Sequence, residues 1–235
     1  MRYAHVDCAL FHRAGTAVLA LAIFDLDNTL IAGDSDVLWG QFLGEHGHVD
    51  YSSHERENQR HYADYKAGGL DIMAFLRFQL RILSEHDVDT LNRWRAAFVE
   101  EKVKPVLLPK AQALIEKHRA QGDVPVIITA TNRFITAPVA GLFGIEHLIA
   151  SEPEFKDGRY TGGVSGIPSY AAGKVTRMKD WMQTHGHDLR GSWFYSDSHN
   201  DLPLLREVEH PVAVDPDPQL IAEARKLGWP IISLR

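Results

Sequence analysis

The segment Phe24-Asp25-Leu26-Asp27-Asn28-Thr29-Leu30 sets two carboxylates two residues apart where an apolar run ends. If the chain stays extended through Leu26, Asp25 and Asp27 point to the same side, as one nucleophile and one proton donor or acceptor. Such a pair suits phosphoryl transfer. Taken alone, the segment also reads as an acidic junction with a turn over Asp27-Asn28-Thr29. Near the other end, Tyr195-Ser196-Asp197-Ser198-His199-Asn200-Asp201 again puts acids just past an apolar run. Mg²⁺ prefers oxygen ligands and keeps waters, so one or two of these acids, a group from the first loop and a substrate oxygen would complete its shell. Helix capping is the competing account, with Ser198 or Asn200 capping a helix that begins near Leu202-Pro203. Thr129 closes the run Val126-Ile127-Ile128, where its hydroxyl could bond a phosphoryl oxygen or simply belong to a β-branched strand residue. Lys174 follows a Gly-rich stretch from Gly158 to Gly173. It is either a compact charge for a phosphate and an attacking carboxylate or a solvated surface group.

These residues must be positioned by the elements around them. Continuous apolar runs at Leu19 to Phe24, Val124 to Thr129, Trp193 to Tyr195 and Val212 to Val214 predict strands covered on both faces. Between them, helical patterns run from Lys110 to Ala120, from Lys174 to His185, and from Pro218 to Leu227 before a capping Gly228. Strands alternating with helices predict an α/β fold with a parallel sheet. The section from Asp36 to Lys104 differs, with Ile72, Leu76, Gln79 and Leu83 on one helical face and Leu91, Trp94 and Phe98 on another. No strand is evident there, so a small all-helical domain is expected between the first strand and the rest of the sheet. Residues 1–18 match no pattern and are read as an N-terminal extension.

The 235 residues, 45% hydrophobic, suffice for one core and a smaller accessory unit. A net charge of −6 gives no broad positive field, so no nucleic-acid partner is expected. A small charged metabolite in a local pocket fits better. Cys8 is the single cysteine, which excludes an intrachain disulfide and suggests the reducing cytoplasm. The run Ala17 to Phe24 is far shorter than the roughly 20 residues of a membrane span, so no membrane partner is expected. A buried strand is the preferred account of that run, and a signal-peptide core the alternative.

Taken in order, Asp25-Leu26-Asp27-Asn28-Thr29-Leu30, Ile128-Thr129, Lys174 and Asp197 to Asp201 resemble the four motifs of the haloacid dehalogenase superfamily. The resemblance spans about residues 19 to 235. The helical insertion and the sequences Asp201-Leu202-Pro203-Leu204-Leu205 and His210-Pro211-Val212-Ala213-Val214 resemble the IB branch, which includes phosphoserine phosphatases. This implies a Rossmann-like, doubly wound parallel sheet core over residues 19–35 and 105–235, with an inserted small all-helical cap over residues 36–104. It further implies that Asp25 attacks phosphorus, while Asp27 protonates the leaving oxygen and later activates water. Thr129 and Lys174 would bind phosphoryl oxygens, with Asn200 and Asp34 at the substrate. Asp25, Asp27 through its main-chain carbonyl, and Asp197 would hold Mg²⁺, with Asp201 beside it or joined through water. Members that cleave carbon–halogen bonds generally lack the second acid, so Asp27 favours phosphoryl transfer.

Some positions depart from the family pattern. Ser196 stands where relatives often have glycine, and Thr129 replaces a serine common in phosphoserine phosphatases. Those enzymes hold the amino-acid head group with an acid, which Asp34 could match, and a cap arginine, for which Arg77 and Arg81 are loose matches. The expected activity is hydrolysis of a small phosphate monoester, with histidinol phosphate and phosphoserine as candidates. The acids Asp34 and Asp36 favour a cationic head group, which suits the former. A phosphotransferase and a non-catalytic phosphate-binding regulatory protein are the alternatives. The thirteen histidines, including His46, His48, His54 and His61, lack a tight ligand pattern and are expected to be mostly solvated. The stretch Tyr160 to Gly166 lacks the Gly-Lys-Ser or Gly-Lys-Thr ending of a P-loop and reads as a hairpin or turn.

Overall fold

Strand β1, Leu21–Phe24, is buried over all four residues because its side chains alternate between two cores. Ala22 and Phe24 enter one hydrophobic cluster, and Leu21 and Ile23 the other. A strand buried on both faces needs an unbroken apolar run, which is the pattern seen in the sequence. The computed structural model describes residues 19–235, so the proposed extension over residues 1–18 lies outside the described residues.

The remaining strands are β2 (Val124–Asn132), β3 (His147–Lys156), β4 (Arg159–Ser165), β5 (Trp193–Ser196), β6 (His210–Val214) and β7 (Ile231–Ile232). Among the described residues they form one seven-stranded sheet in the order β4-β3-β2-β1-β5-β6-β7. All neighbours are parallel except β3 and β4. Helices α5 (Pro109–Gln121) and α6 (Arg133–Leu142) cover one face through Ala111, Ile115, Phe134 and Val139. Helices α7 (Ala172–His185), α8 (Leu202–Leu205) and α9 (Pro218–Leu227) cover the other through Met178, Met182, Leu204, Leu220 and Ala224. The fold is therefore a doubly wound, Rossmann-like α/β sheet. Phe24 pairs with Ile127 on one side and Tyr195 on the other, so the residues after these three strands emerge at one level. That level is the topological switch point, where open α/β sheets bind ligands.

Between β1 and α5 the chain is helical: α1 (Ser35–Glu45), α2 (Tyr51–Lys66), α3 (Ile72–Glu85) and α4 (Val88–Phe98), then a π-helical turn over Val99–Val103. Asp34, Asp50, Asp71 and Asp87 cap the four helices, each accepting a backbone N–H of the first turn. This inserted helical cap shares apolar side chains with the core. Trp39 of α1 stacks on Phe42 and meets Phe134 of α6 edge-on at 6.1 Å. Two segments cross between cap and core as a short ribbon, with Ala32 N–H bonded to Val106 O and Leu108 N–H to Leu30 O.

The structure departs from the sequence expectations in several places. The first strand starts at Leu21, because Leu19 is half exposed. The second runs beyond Thr129 to Asn132. β3 and β4 form a hairpin where continuous apolar runs are absent: only Leu148, Ile149 and Ala150 of β3 are apolar and buried in succession. Its turn is Asp157-Gly158, both with positive φ, a turn chemistry the sequence did carry. Gly162 of β4 lies so close to the cap that a Cβ there would come within 3.2 Å of Ser84 Oγ on α3.

Candidate active site

Asp25 leaves β1 with its backbone N–H still bonded to Tyr195 O at 2.9 Å, so the sheet fixes where its side chain begins. The carboxylate is buried, and Oδ1 accepts a 2.7 Å bond from Lys174 Nζ. Lys174, three residues into α7, is also buried and donates to Asp201 Oδ2 at 2.7 Å. Asp201 Oδ2 in turn accepts Ser196 Oγ at 2.7 Å, which gives the serine at the family's glycine position a clear task. Lys174 is thus no solvated lysine. It is a buried cation held between two carboxylates.

Asp27 stands beside this chain. Its Oδ1 accepts Ser35 N–H at 2.7 Å, and its Oδ2 accepts Thr131 Oγ1 at 2.9 Å and Thr129 Oγ1 at 3.5 Å. Thr131 Oγ1 also lies 3.2 Å from Asp36 Oδ2, and Asp36 is buried. A hydroxyl has one proton, so Thr131 donates to one of the two carboxylates, and when it donates to Asp27 a protonated Asp36 would donate to Thr131 in turn. Burial, with Asp34 and Asp27 nearby, pushes Asp36 well above the ordinary carboxylate range, in agreement with that arrangement. Asp197 emerges after β5, with Thr29 Oγ1 3.5 Å from its Oδ1.

The electrostatics are one-sided. Burial raises Asp25 to about 7 against the pull of Lys174, with Asp201 and Asp27 adding to the rise. Burial and Asp34 raise Asp27 to about 6, opposed by its bonds from Ser35 and Thr131. Burial, then Asp25 and Asp201, push Asp197 well above its ordinary value. Burial disfavours the ammonium of Lys174, yet Asp201 and Asp25 outweigh it and hold the group charged. Seven acids, Asp25, Asp27, Asp34, Asp36, Asp197, Asp201 and Asp217, border a cavity whose wall contributes Lys174 and, from the cap, Lys66 as cations. Among the described residues, no three His, Cys, Asp or Glu side chains converge as a ready-made metal cage. Hard oxygen donors with excess negative charge fit Mg²⁺, which needs one or two carboxylates and otherwise takes carbonyl, water and substrate oxygens.

The cavity holds about 440 Å³. Asp25, Asp27, Asp34, Thr129, Lys174, Asp197, Asn200 and Asp201, separated by up to 176 positions in the chain, all line it. Asn200 is tied locally: its amide donates to Tyr65 O at 3.3 Å and its Oδ1 accepts Tyr170 OH at 3.0 Å. Asp34 accepts Val37 N–H as the α1 cap while facing the cavity. The helix near Leu202 is preceded by a 3-10 turn over His199–Asp201 that Ser198 caps through Asn200 N–H. Arg77 and Arg81 are exposed on α3 and line no part of the cavity, since Leu76, Gln79 and Leu80 occupy the packed side of that helix. Two of the histidines are not solvated. His54 and His118 are buried, the latter bonded to Asp123 and Tyr195, because each packs between elements rather than on the surface.

Several cavity residues were missed. Thr131 sits two positions after Thr129 on the same strand face and needed only the longer β2 to be found. The cap wall comes mainly from α2, with Asn58, His61, Tyr62, Tyr65 and Lys66 at helical spacing, and is completed by Ile72 and Phe75 of α3. Tyr65 OH bonds Ser198 Oγ at 2.7 Å, and Gln219 Nε2 bonds Lys66 O at 3.3 Å, so this helix end touches the loops on the sheet.

The haloacid dehalogenase-like hydrolase family model matches residues 22–206. The chain belongs to this family. A histidinol-phosphatase of Neisseria meningitidis serogroup C (strain 8013) is 45% identical over 92% of this chain and 99% of its own length. A solved structure of a Bordetella pertussis Tohama I protein of unknown function shares 40% identity, with a TM-score of 0.87 over 93% of this chain and all of that one. A substrate-bound phosphoserine phosphatase shares the haloacid dehalogenase-like fold at a TM-score of 0.67 and 18% identity, over 92% of this chain and 93% of that one. No helix among the described residues is long and apolar enough to cross a membrane.

Proposed function

We propose that this member of the family is a Mg²⁺-dependent phosphatase that hydrolyses a small phosphate monoester through an aspartyl-phosphate on Asp25. The observation that carries this reading is the buried chain Asp25–Lys174–Asp201 with Asp27 beside it. Asp25 is the nucleophile: Lys174 takes its Oδ1, and the sheet aims the carboxylate into the cavity. Asp27 protonates the leaving oxygen and then takes a proton from the water that attacks the acyl-phosphate. A carboxyl raised to about 6 is suited to both tasks near neutral pH. Ser35 and Thr131 hold it in place. Lys174 and Thr129 bind phosphoryl oxygens, and Asp201 with Ser196 anchors Lys174. Asp25, Asp197 and the main-chain carbonyl of Asp27 hold Mg²⁺. When bound, Mg²⁺ supplies the positive charge that keeps these acids ionised and offsets the phosphoryl oxygens.

Residues 19–35 with 105–235 act as the catalytic core, and 36–104 as the cap that supplies the wall for the alcohol part of the substrate. That wall is aromatic, with His61, Tyr62, Tyr65 and Phe75, and among the described residues no arginine lines the cavity. On the cap wall the carboxylate of phosphoserine would meet, among the described residues, only Lys66, whose ammonium already lies over the Tyr62 ring. A phosphorylated amino alcohol without a carboxylate, bearing an ammonium and a flat ring, fits the acids and aromatic groups better, as does the 45% identical histidinol-phosphatase. Histidinol phosphate is therefore the first substrate to try. The single cysteine supports a cytoplasmic setting for this activity. Phosphate release from a panel of small esters, with and without Mg²⁺, tests the reading. Release from histidinol phosphate that requires Mg²⁺ and vanishes in Asp25→Asn supports it. Full hydrolysis by Asp25→Asn, or release from none of the esters, overturns it.

A further inference from the structure

His199 and Asp217 line the cavity next to the Asp197 loop and take no part in the steps above. Asp217 caps α9, its Oδ1 accepting the backbone N–H groups of Gln219 and Leu220, both at 2.8 Å. Its Oδ2 accepts His199 N–H at 2.7 Å and lies 2.8 Å from the ring Nδ1. A carboxylate gathered among backbone donors acts as an acceptor, so the ring supplies a proton at Nδ1, and a ring with that single proton carries its lone pair at Nε2. This tautomer follows from the bonding network. Nε2 is buried and has no hydrogen-bond partner among the described residues. Gly68, in the turn after α2, lies against it, since a Cβ added there would be 3.4 Å away. Buried acceptors are rarely left without a donor, and no neighbouring side chain supplies one. The cavity bordered by this ring is where a donor can enter, at the joint between cap and core.

We propose that His199 Nε2 accepts a hydrogen bond from an N–H group on the alcohol part of the substrate, an ammonium or a heteroaromatic ring N–H, and that Asp217 positions it. The inference rests on the phosphomonoesterase reading and adds the group that selects the ester. Asp25, Lys174 and Thr129 face the phosphoryl group that all phosphate esters share, whereas His199 faces what distinguishes them. The turn Ala67-Gly68-Gly69 would shift aside as the donor arrives, and Gly68, at φ +72°, has no side chain to obstruct it.

The test compares kcat/KM for histidinol phosphate, which has N–H donors, with that for p-nitrophenyl phosphate, which has none, in the full chain with Mg²⁺. His199→Asn keeps a side-chain N–H for Asp217 and removes the atom at Nε2, while His199→Gln places an amide near the Nε2 position. The expected result is a fall of about tenfold in the ratio of the two kcat/KM values for His199→Asn, with part of it regained in His199→Gln. Calorimetric affinity for histidinol itself should fall by a similar factor in His199→Asn, independently of turnover. A ratio and an affinity that stay at the wild-type values overturn the proposal, as does an equal loss on both esters. If the wild type releases phosphate from neither ester, the phosphomonoesterase reading itself fails, which is a separate and visible outcome.

Discussion

The two walls of the cavity are built on opposite plans. On the sheet side, Asp25, Asp27, Lys174 and Asp201 sit at strand ends or at a helix start, and each side chain is engaged by at least one hydrogen bond. On the cap side, α2 is a polar helix whose buried residues are His54 and Asn58. Among the described residues, His54 Nε2, which lies against Gly40 of α1, and Gln79 Oε1 of α3 are left without partners. The difference teaches a division of labour. Chemistry is placed where the backbone is fixed by the sheet, and selectivity at the joint where the less firmly held cap wall meets the loops on the sheet.

The largest effects should therefore come from the sheet side. Lys174→Met removes the cation shared by Asp25 and Asp201, and kcat/KM for any phosphate ester should fall at least about 10²-fold. Stability of the metal-free protein should fall by roughly 3 kcal/mol in a urea titration, because two buried carboxylates lose their partner. A Lys174→Met protein with wild-type activity would break the comparison at its strongest point.

The next prediction concerns pH. Asp25 and Asp27, raised to about 7 and about 6 from 3.8, bind more protons folded than unfolded. The stability that these two groups contribute to the metal-free protein is then fully present below about pH 3.8 and is lost as pH rises through 6 and 7. Mg²⁺ binds the ionised form, so its addition should raise Tm most at the upper end of that window. Melting curves across pH with and without Mg²⁺ check the sign, and a metal-free Tm that climbs from pH 4 to 7 would contradict it.

Thr131→Val should lower kcat about tenfold by freeing Asp27 Oδ2, with KM little changed, since the valine keeps the shape and loses one bond. Tyr65→Phe, on the cap, should act on KM instead and raise it roughly threefold, because it releases Ser198 and loosens the contact between cap and sheet. Arg77→Ala should change neither constant by more than about twofold, as Arg77 faces away from the cavity. Steady-state kinetics on one ester separates these three. A large Arg77 effect would mean that the cap turns this face inward during turnover.

What the sequence reveals follows the same division. Asp25 and Asp27 were legible because β1, buried on both faces, must be an unbroken apolar run that ends where the acids begin. Lys174 and Asp197 were legible through their order and their place at element ends. The β3–β4 hairpin was obscured because its outer half is polar and half exposed, and Thr131 was lost with the underestimated length of β2. Tyr65, His61 and His199 were harder still. Their roles depend on which face of α2 turns toward the sheet, and a polar helix with two buried residues carries little hydrophobic pattern to announce it.

The central claim is that Asp25 carries the phosphoryl group. Enzyme quenched in acid during turnover of a phosphate ester, then digested and analysed by mass spectrometry, should show one added phosphoryl group on the peptide containing Asp25, and none in Asp25→Asn. A phosphoryl group on any other residue, or sustained turnover with no phosphorylated peptide at any time point, would contradict the account.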